Sequence, residues 1–138
     1  MRAIAYSTKA YQTAEAHAAD PNHLVVLMFD SAVRFLHRAM AAMRAGDCEG
    51  QCTYIIRTQR IFSTLMASLD LNVEPQLASG LFNLYNWIHG NLTEASIRDD
   101  LQLLEEIITI ASSLQNAWRQ AEANCRQVAR GAGEGGRR

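Results

Sequence analysis

The side chains that most often bind metals or catalyse reactions are present in this chain, but their spacing favours neither role. Cys48 and Cys52 stand one helical turn apart, and no histidine or second cysteine pair lies near them at zinc-site spacing. We therefore predict that both are small buried residues of the core. The histidines are scattered and are expected on polar faces: His17, His23, His37 and His89. The sequence predicts no metal and no cofactor.

The carboxylates likewise point to structure rather than catalysis. The adjacent pairs Asp99–Asp100 and Glu105–Glu106 are explained by a helix start, where negative charge complements the positive end of the helix dipole. A di-iron site in a helical bundle needs inward Glu-x-x-His motifs, and no glutamate here is followed by histidine three residues later. A Gly-rich phosphate loop and a GxSxG nucleophile elbow are also missing. The sequence thus predicts a binding protein and not an enzyme.

Composition sets the class of protein. The 138 residues fit one domain, 49% of them are hydrophobic, and no apolar run approaches the roughly 18 residues of a membrane span. A net charge of −1 with a single lysine, Lys9, argues against a nucleic-acid partner. The N-terminus lacks the apolar region of a secretory signal, and three cysteines, an odd number, favour a reducing compartment. We expect a cytoplasmic protein without membrane insertion.

Apolar residues recur at helical spacing in four segments separated by turn signals. Asp20 and Pro21 open the first helix, which runs to Arg44, and Gly46 with Asp47 separates it from a second helix over 48–71. Pro75 starts the third helix, a break is expected at 96–98, and the fourth helix carries an inner stripe that includes Trp118. These segments predict an all-α, antiparallel up-down four-helix bundle with a short N-terminal cap helix. Residues 1–129 form the single domain, with 1–18 as the cap segment and 130–138 as a disordered tail.

The apolar face of the first helix is wider than folding alone requires. Val26, Phe29, Val33 and Met40 extend its stripe to roughly half of the circumference, whereas core-facing helices typically show about 100°. Surplus apolar residues flank the other stripes as well: Ile56, Phe82, Tyr85, Trp87, Leu101 and Ile108. We interpret the surplus as a binding surface for an apolar chain. The alternative is a self-associating structural bundle that uses the same flanks as a weak homodimer interface.

Several motifs occur in order along residues 6–121 and resemble the flagellar secretion chaperone family FliS. They are Tyr11-Gln12, Asp20-Pro21, Leu27-Met28-Phe29-Asp30, Arg34-Phe35-Leu36, Ser68-Leu69-Asp70, Leu84-Tyr85, Leu104-Glu105 and Trp118. The chain departs from the family pattern at three positions, with Asp20 for the usual Ser, Phe29 for Tyr and Ser96 for Asn. The first two departures keep the capping role and the aromatic volume. The third affects only the turn after the third helix.

The resemblance implies a function. Members of this family are cytosolic bundles that bind the disordered C-terminal segment of flagellin, block its premature polymerisation and aid its delivery to the flagellar export apparatus. That segment is amphipathic, so recognition would be a variant of helix-in-groove binding. The candidate flagellin-binding residues are Tyr11, Val26, Phe29, Val33, Ile56, Phe82, Tyr85 and Ile108.

The N-terminal segment has two interpretations. Ile4 and Tyr11 lie in an element too short to be stable alone, so residues 1–18 are expected to be a movable cap that docks on the bundle and leaves when flagellin enters. In the alternative, Tyr11 belongs to the client site or packs permanently on the bundle.

Overall fold

The computed structural model describes residues 21–135, which form four helices in up-down order. They are α1 (Pro21–Ala45), α2 (Cys48–Ser68), α3 (Pro75–Arg98) and α4 (Leu101–Gly135). Gln59 on α2 lies beside His89 and Thr93 on α3, and the earlier residue Gln51 lies beside the later residue Ser96, as antiparallel neighbours require. The predicted all-α four-helix bundle is confirmed. The predicted cap helix lies outside the described residues.

The turn between α1 and α2 forms as its residues predict. Gly46 adopts φ +73°, which glycine reaches without steric cost, and Asp47 caps α2 by accepting a 3.0 Å hydrogen bond from the Gly50 amide. A Cβ atom on Gly50 would lie 2.3 Å from Oδ2 of Asp47. Glycine at position 50 therefore leaves room for the capping carboxylate.

The break predicted at 96–98 is wrong, because α3 continues through Arg98. The chain turns instead at Asp99, whose φ of +49° places it in the left-handed region. Asp100 then accepts a 3.0 Å hydrogen bond from the Leu103 amide at the start of α4. The side-chain amide of Gln51 reaches this corner from α2. Its Nε2 atom donates hydrogen bonds of 3.0 Å to Oδ1 of Asp99 and 3.1 Å to the carbonyl oxygen of Ser96.

The core is a continuous apolar cluster with aromatic rings at its centre. The rings of Phe29, Phe62 and Tyr85, from α1, α2 and α3, lie 5.8–6.1 Å apart between centroids in tilted and edge-on arrangements, which aromatic pairs prefer. Trp118 of α4 is fully buried, as predicted. Every helix thus contributes a large side chain to one core.

The four helices do not contact each other equally. α1 packs extensively against both α2 and α4, α2 packs against α3, and the contact between α3 and α4 is the least extensive. Ion pairs reinforce the α1–α4 side, Asp30 with Arg119 at 2.7 Å and Arg44 with Glu105 at 3.2 Å, and a 3.0 Å hydrogen bond joins His23 to Glu122. Helix α1 is therefore covered on both flanks.

Helix α4 is longer than expected. It continues to Gly135 and so enters the segment for which disorder was predicted. Extending an existing helix adds one backbone hydrogen bond per residue without a new nucleation step, so a helix can continue past its last buried residue. Residues 126–131 are all exposed. Across the described residues, no helix combines the length and the apolar character needed to cross a membrane.

Candidate functional site

Half of the predicted binding residues lie in the core. Val26, Phe29, Tyr85 and Ile108 are all buried and belong to the core cluster. The expectation that they form an accessible flank is wrong, because the wide face of α1 is covered by helices on both sides, and Tyr85 and Ile108 of the neighbouring helices face the same core. Phe29, for example, lies 6.0 Å from Tyr85 and 6.1 Å from Phe62 between ring centroids. Their role in binding stays a prediction, and it requires the helices to separate.

The remaining predicted residues lie at or near the surface. Ile56 is 47% exposed and Phe82 is 41% exposed, whereas Val33 is half-buried and packs against the core. Because Gln59 lies opposite His89 and Thr93, Ile56 lies at about the level of Glu94 on α3. Twelve residues of helix place Phe82 about 18 Å from that level. Ile56 and Phe82 thus mark two ends of one side of the bundle, and Tyr11 lies outside the described residues.

Exposed apolar side chains concentrate on α3. Phe82, Trp87 and Ile97 are 41%, 41% and 73% exposed, and we call these three residues the α3 surface. At about 100° per residue they fall within an arc of about 140°, centred nearly opposite the buried stripe of α3. Large apolar side chains that are exposed together on one helix face favour an interaction site. The α3 surface is therefore the candidate site.

Most of the α3 surface is also uncharged. Residues 75–93 contain no Asp, Glu, Lys or Arg, and only Glu94 and Arg98 follow within the helix. Exposed positions between the apolar residues carry hydroxyl, amide or no side chain: Ser79, Gly80, Asn83, Asn86 and Gly90. A solvated helix face normally carries charges. A partner that covers this face from Phe82 to Trp87 would desolvate no ionised group on it, whereas exposed Glu94 lies within the same arc near Ile97.

Sequence reasoning found part of this site. It identified Phe82 and Trp87 as surplus apolar residues, but it missed Ile97, which was assigned to a turn. The sequence signal that identifies α3 as the candidate site is its lack of charged residues over 75–93.

The structure gives catalysis and metal binding no added support. Within the part of the chain that the structure describes, no three histidine, cysteine, aspartate or glutamate side chains are grouped as a metal would require. Cys48 and Cys52 are exposed, so their predicted burial is wrong. Both lie in the first turns of α2, where the core-facing positions are occupied by Gln51 and Ile55.

Comparison with known proteins adds independent information. Residues 2–125 match the family described as "Flagellar protein FliS". The chain is 27% identical to the flagellar secretion chaperone FliS of Bacillus subtilis over 124 residues, 90% of this chain and 92% of the relative. It is 29% identical over 121 residues to the protein of the same name from Campylobacter jejuni, covering 88% and 93%. For the Salmonella typhimurium protein, the identity is 30% over 104 residues, covering 75% and 77%.

Proposed function

The chain belongs to the FliS family of flagellar secretion chaperones, and from that premise we propose that it binds the disordered C-terminal segment of flagellin in the cytoplasm. Bound flagellin cannot polymerise early, and the complex is delivered to the flagellar export apparatus. The protein acts by binding and not by catalysis. It needs no cofactor for this role.

The observation that carries this proposal is the α3 surface. Phe82, Trp87 and Ile97 offer apolar area on a helix that lacks charge over 75–93. An amphipathic segment that orders on binding can lay its apolar face against such a surface. Neutral amides and hydroxyls between the apolar residues can hydrogen-bond to the client while it is still partly extended. Both features suit a client whose apolar face must be hidden from other copies of itself.

Of the other candidate residues, Ile56 lies beside this surface on α2. Val33 lies on α1, which packs between α2 and α4, so it belongs to a different side of the bundle. Val26, Phe29, Tyr85 and Ile108 support the surface from within, and they contact the client directly only if it parts the helices. Residues 1–18, with Ile4 and Tyr11, form the movable cap of this proposal.

A second candidate function uses the same residues. The α3 surface of one copy could cover that of another, since a two-fold contact is self-complementary. In that case the protein is a structural dimer. The measurements below separate the two functions.

The test is calorimetric titration with a synthetic flagellin C-terminal peptide at several temperatures. We expect a 1:1 complex, a large negative heat-capacity change as apolar surface is buried, and mild salt dependence. Light scattering should show a monomer that becomes a 1:1 complex. A tight dimer that ignores the peptide, or a heat-capacity change near zero, contradicts the proposal.

A matched pair of variants locates the site. Phe82→Gln with Trp87→Gln removes apolar area from the α3 surface. Leu27→Gln with Val128→Gln removes exposed apolar area elsewhere, at side chains that are 46% and 72% exposed. We expect only the first variant to lose peptide affinity. Equal losses in both variants would show that the α3 surface is not the site.

A further inference from the structure

Two aromatic rings are stacked between α1 and α2, away from the core aromatics. Phe35 of α1 and Tyr54 of α2 lie 6.0 Å apart between centroids with an interplanar angle of 28°. Both residues are half-buried, so the outer edges and faces of the rings remain at the surface. The pair forms a flat apolar base on the outer side of these two helices.

Three arginines surround this base, and we call them the arginine cluster. The Arg57 guanidinium carbon lies 5.7 Å from the Phe35 centroid and 5.6 Å from the Tyr54 centroid. Arg34 lies 5.7 Å from Phe35, and Arg38 lies 5.6 Å from Tyr54. All four distances fall within the range of cation–π attraction.

The arginine cluster lacks counter-charges. Within residues 21–135, none of Arg34, Arg38 and Arg57 has a carboxylate within ion-pair distance. Helices α1 and α2 carry five arginines but only two carboxylates, and one of these, Asp30, is held by Arg119 of α4. All three arginines of the cluster are exposed.

Such an arrangement is poor as a purely structural device. One arginine on the ring pair would supply a cation–π contact, while the second and third add like-charge repulsion. Cation–π attraction holds the guanidinium groups beside the rings, and the exposure of all three arginines leaves donor nitrogens at the surface. Guanidinium groups held in this way are suited to bidentate hydrogen bonds with carboxylates.

We propose that the arginine cluster docks an acidic protein segment whose Asp or Glu carboxylates pair with Arg34, Arg38 and Arg57. Three positive charges between two helices are too few and too local for a nucleic-acid footprint, which needs an extended basic face. The chain as a whole is slightly acidic, so it also has no general attraction for anionic membranes. Charge complementarity therefore selects a local acidic segment.

This surface is separate from the α3 surface. Arg57 and Ile56 are neighbours in sequence, so they point about 100° apart on α2. The arginine cluster faces the α1 side of that helix, where Tyr54 contacts Phe35, whereas Ile56 lies toward α3, at about the level of Glu94. An acidic partner and an apolar client can therefore bind at the same time.

The test uses the full chain and a short poly-glutamate peptide, titrated at low and at physiological ionic strength. We expect binding that weakens with salt and falls at least tenfold when Arg34→Gln, Arg38→Gln and Arg57→Gln are combined. The control combines Arg60→Gln, Arg98→Gln and Arg130→Gln, which removes the same charge from exposed positions outside the arginine cluster. Its affinity should change less than twofold. Circular dichroism of both variants verifies that they fold.

A conservative variant tests the role of the stacked geometry. Arg34→Lys, Arg38→Lys and Arg57→Lys combined keep the charge but lose the planar fork, so we expect several-fold weaker binding. Equal loss in the glutamine variant and its control would overturn the proposal, as would unchanged binding in the glutamine variant. Tighter binding of a single-stranded oligonucleotide or of phosphatidylserine vesicles would overturn the assignment of a protein partner. Self-association that the glutamine variant abolishes would instead assign the arginine cluster to a second copy of this chain.

Discussion

Replacing Phe29 and Phe82 with alanine, one at a time, separates the residues that hold the bundle together from those that meet its partner. The two side chains are chemically identical and lie on different helices. Phe29 is fully buried between Phe62 and Tyr85, whereas Phe82 is 41% exposed on α3. The same substitution should therefore affect different quantities at the two sites.

The magnitudes follow from burial. Phe29→Ala leaves a cavity among packed rings and should lower the free energy of unfolding by about 3–5 kcal/mol. Phe82→Ala should lower it by about 1 kcal/mol, because the ring is partly solvated and alanine is the better helix former. A phenylalanine ring buries about 200 Å² at most, so a client that covers the exposed part of Phe82 gains about 80 Å² of apolar contact. At about 25 cal/mol per Å² this is worth up to about 2 kcal/mol, or about 30-fold in affinity.

Urea denaturation measures the first quantity, and calorimetric titration with the flagellin C-terminal peptide measures the second. We expect a large loss of stability for Phe29→Ala and a large loss of affinity for Phe82→Ala. Equal stability losses would refute the division into core and surface. Unchanged affinity in folded Phe82→Ala protein would show that the client does not cover this part of α3.

Further predictions concern the core, the caps and the N-terminal segment. Trp118→Ala should lower the free energy of unfolding by about 3–5 kcal/mol, and a loss under about 1 kcal/mol would contradict its full burial. Glu74→Gly should raise the free energy of unfolding by about 0.5–1 kcal/mol, because glycine adopts the observed φ of +45° without a Cβ clash. Glu74→Ala is the control and should leave the free energy of unfolding without a gain. Asp47→Ala should lower the free energy of unfolding by about 1 kcal/mol, because the helix cap is lost. Gly50→Ala should also destabilise the protein, because the added Cβ would displace the Asp47 carboxylate. A stabilised Gly50→Ala protein would contradict this contact. Deletion of residues 1–18 should leave the bundle folded and the peptide affinity equal or tighter. In the full chain, hydrogen exchange over residues 3–18 should become faster when the peptide binds. Slower exchange would instead assign this segment to the client site.

The fold was predictable because its boundaries are encoded locally. Pro21, Gly46, Asp47 and Pro75 each have a backbone preference that starts or ends a helix at the observed place. The end of α3 was not predictable in this way. Asp99 adopts a left-handed conformation that its residue type only tolerates, and Gln51, 48 residues earlier, hydrogen-bonds to it there.

The binding surface was harder to predict, for a geometric reason. The apolar width of α1 was attributed to a partner, but the flanks of α1 contact α2 and α4 within the same chain. A helical wheel gives the width of an apolar face and not the number of neighbours that cover it. Phe29, on the covered face of α1, was therefore misplaced, and so was Tyr85 at the edge of the α3 stripe, whereas Ile56 and Phe82 were correctly expected at the surface.

The pairing of α1 with α4 has a consequence for biosynthesis. The residues that contact each other across these two helices are far apart in sequence. Arg44 and Glu105 are separated by 61 residues, and Asn22 and Cys125 by 103. A ribosome releases the chain from its N-terminus, so α1 emerges with its broad apolar face well before the helix that covers it. Closing so long a loop also delays the last step of folding after release. During its own synthesis, this chain is therefore exposed to the same risk of aggregation that it is proposed to prevent in its client.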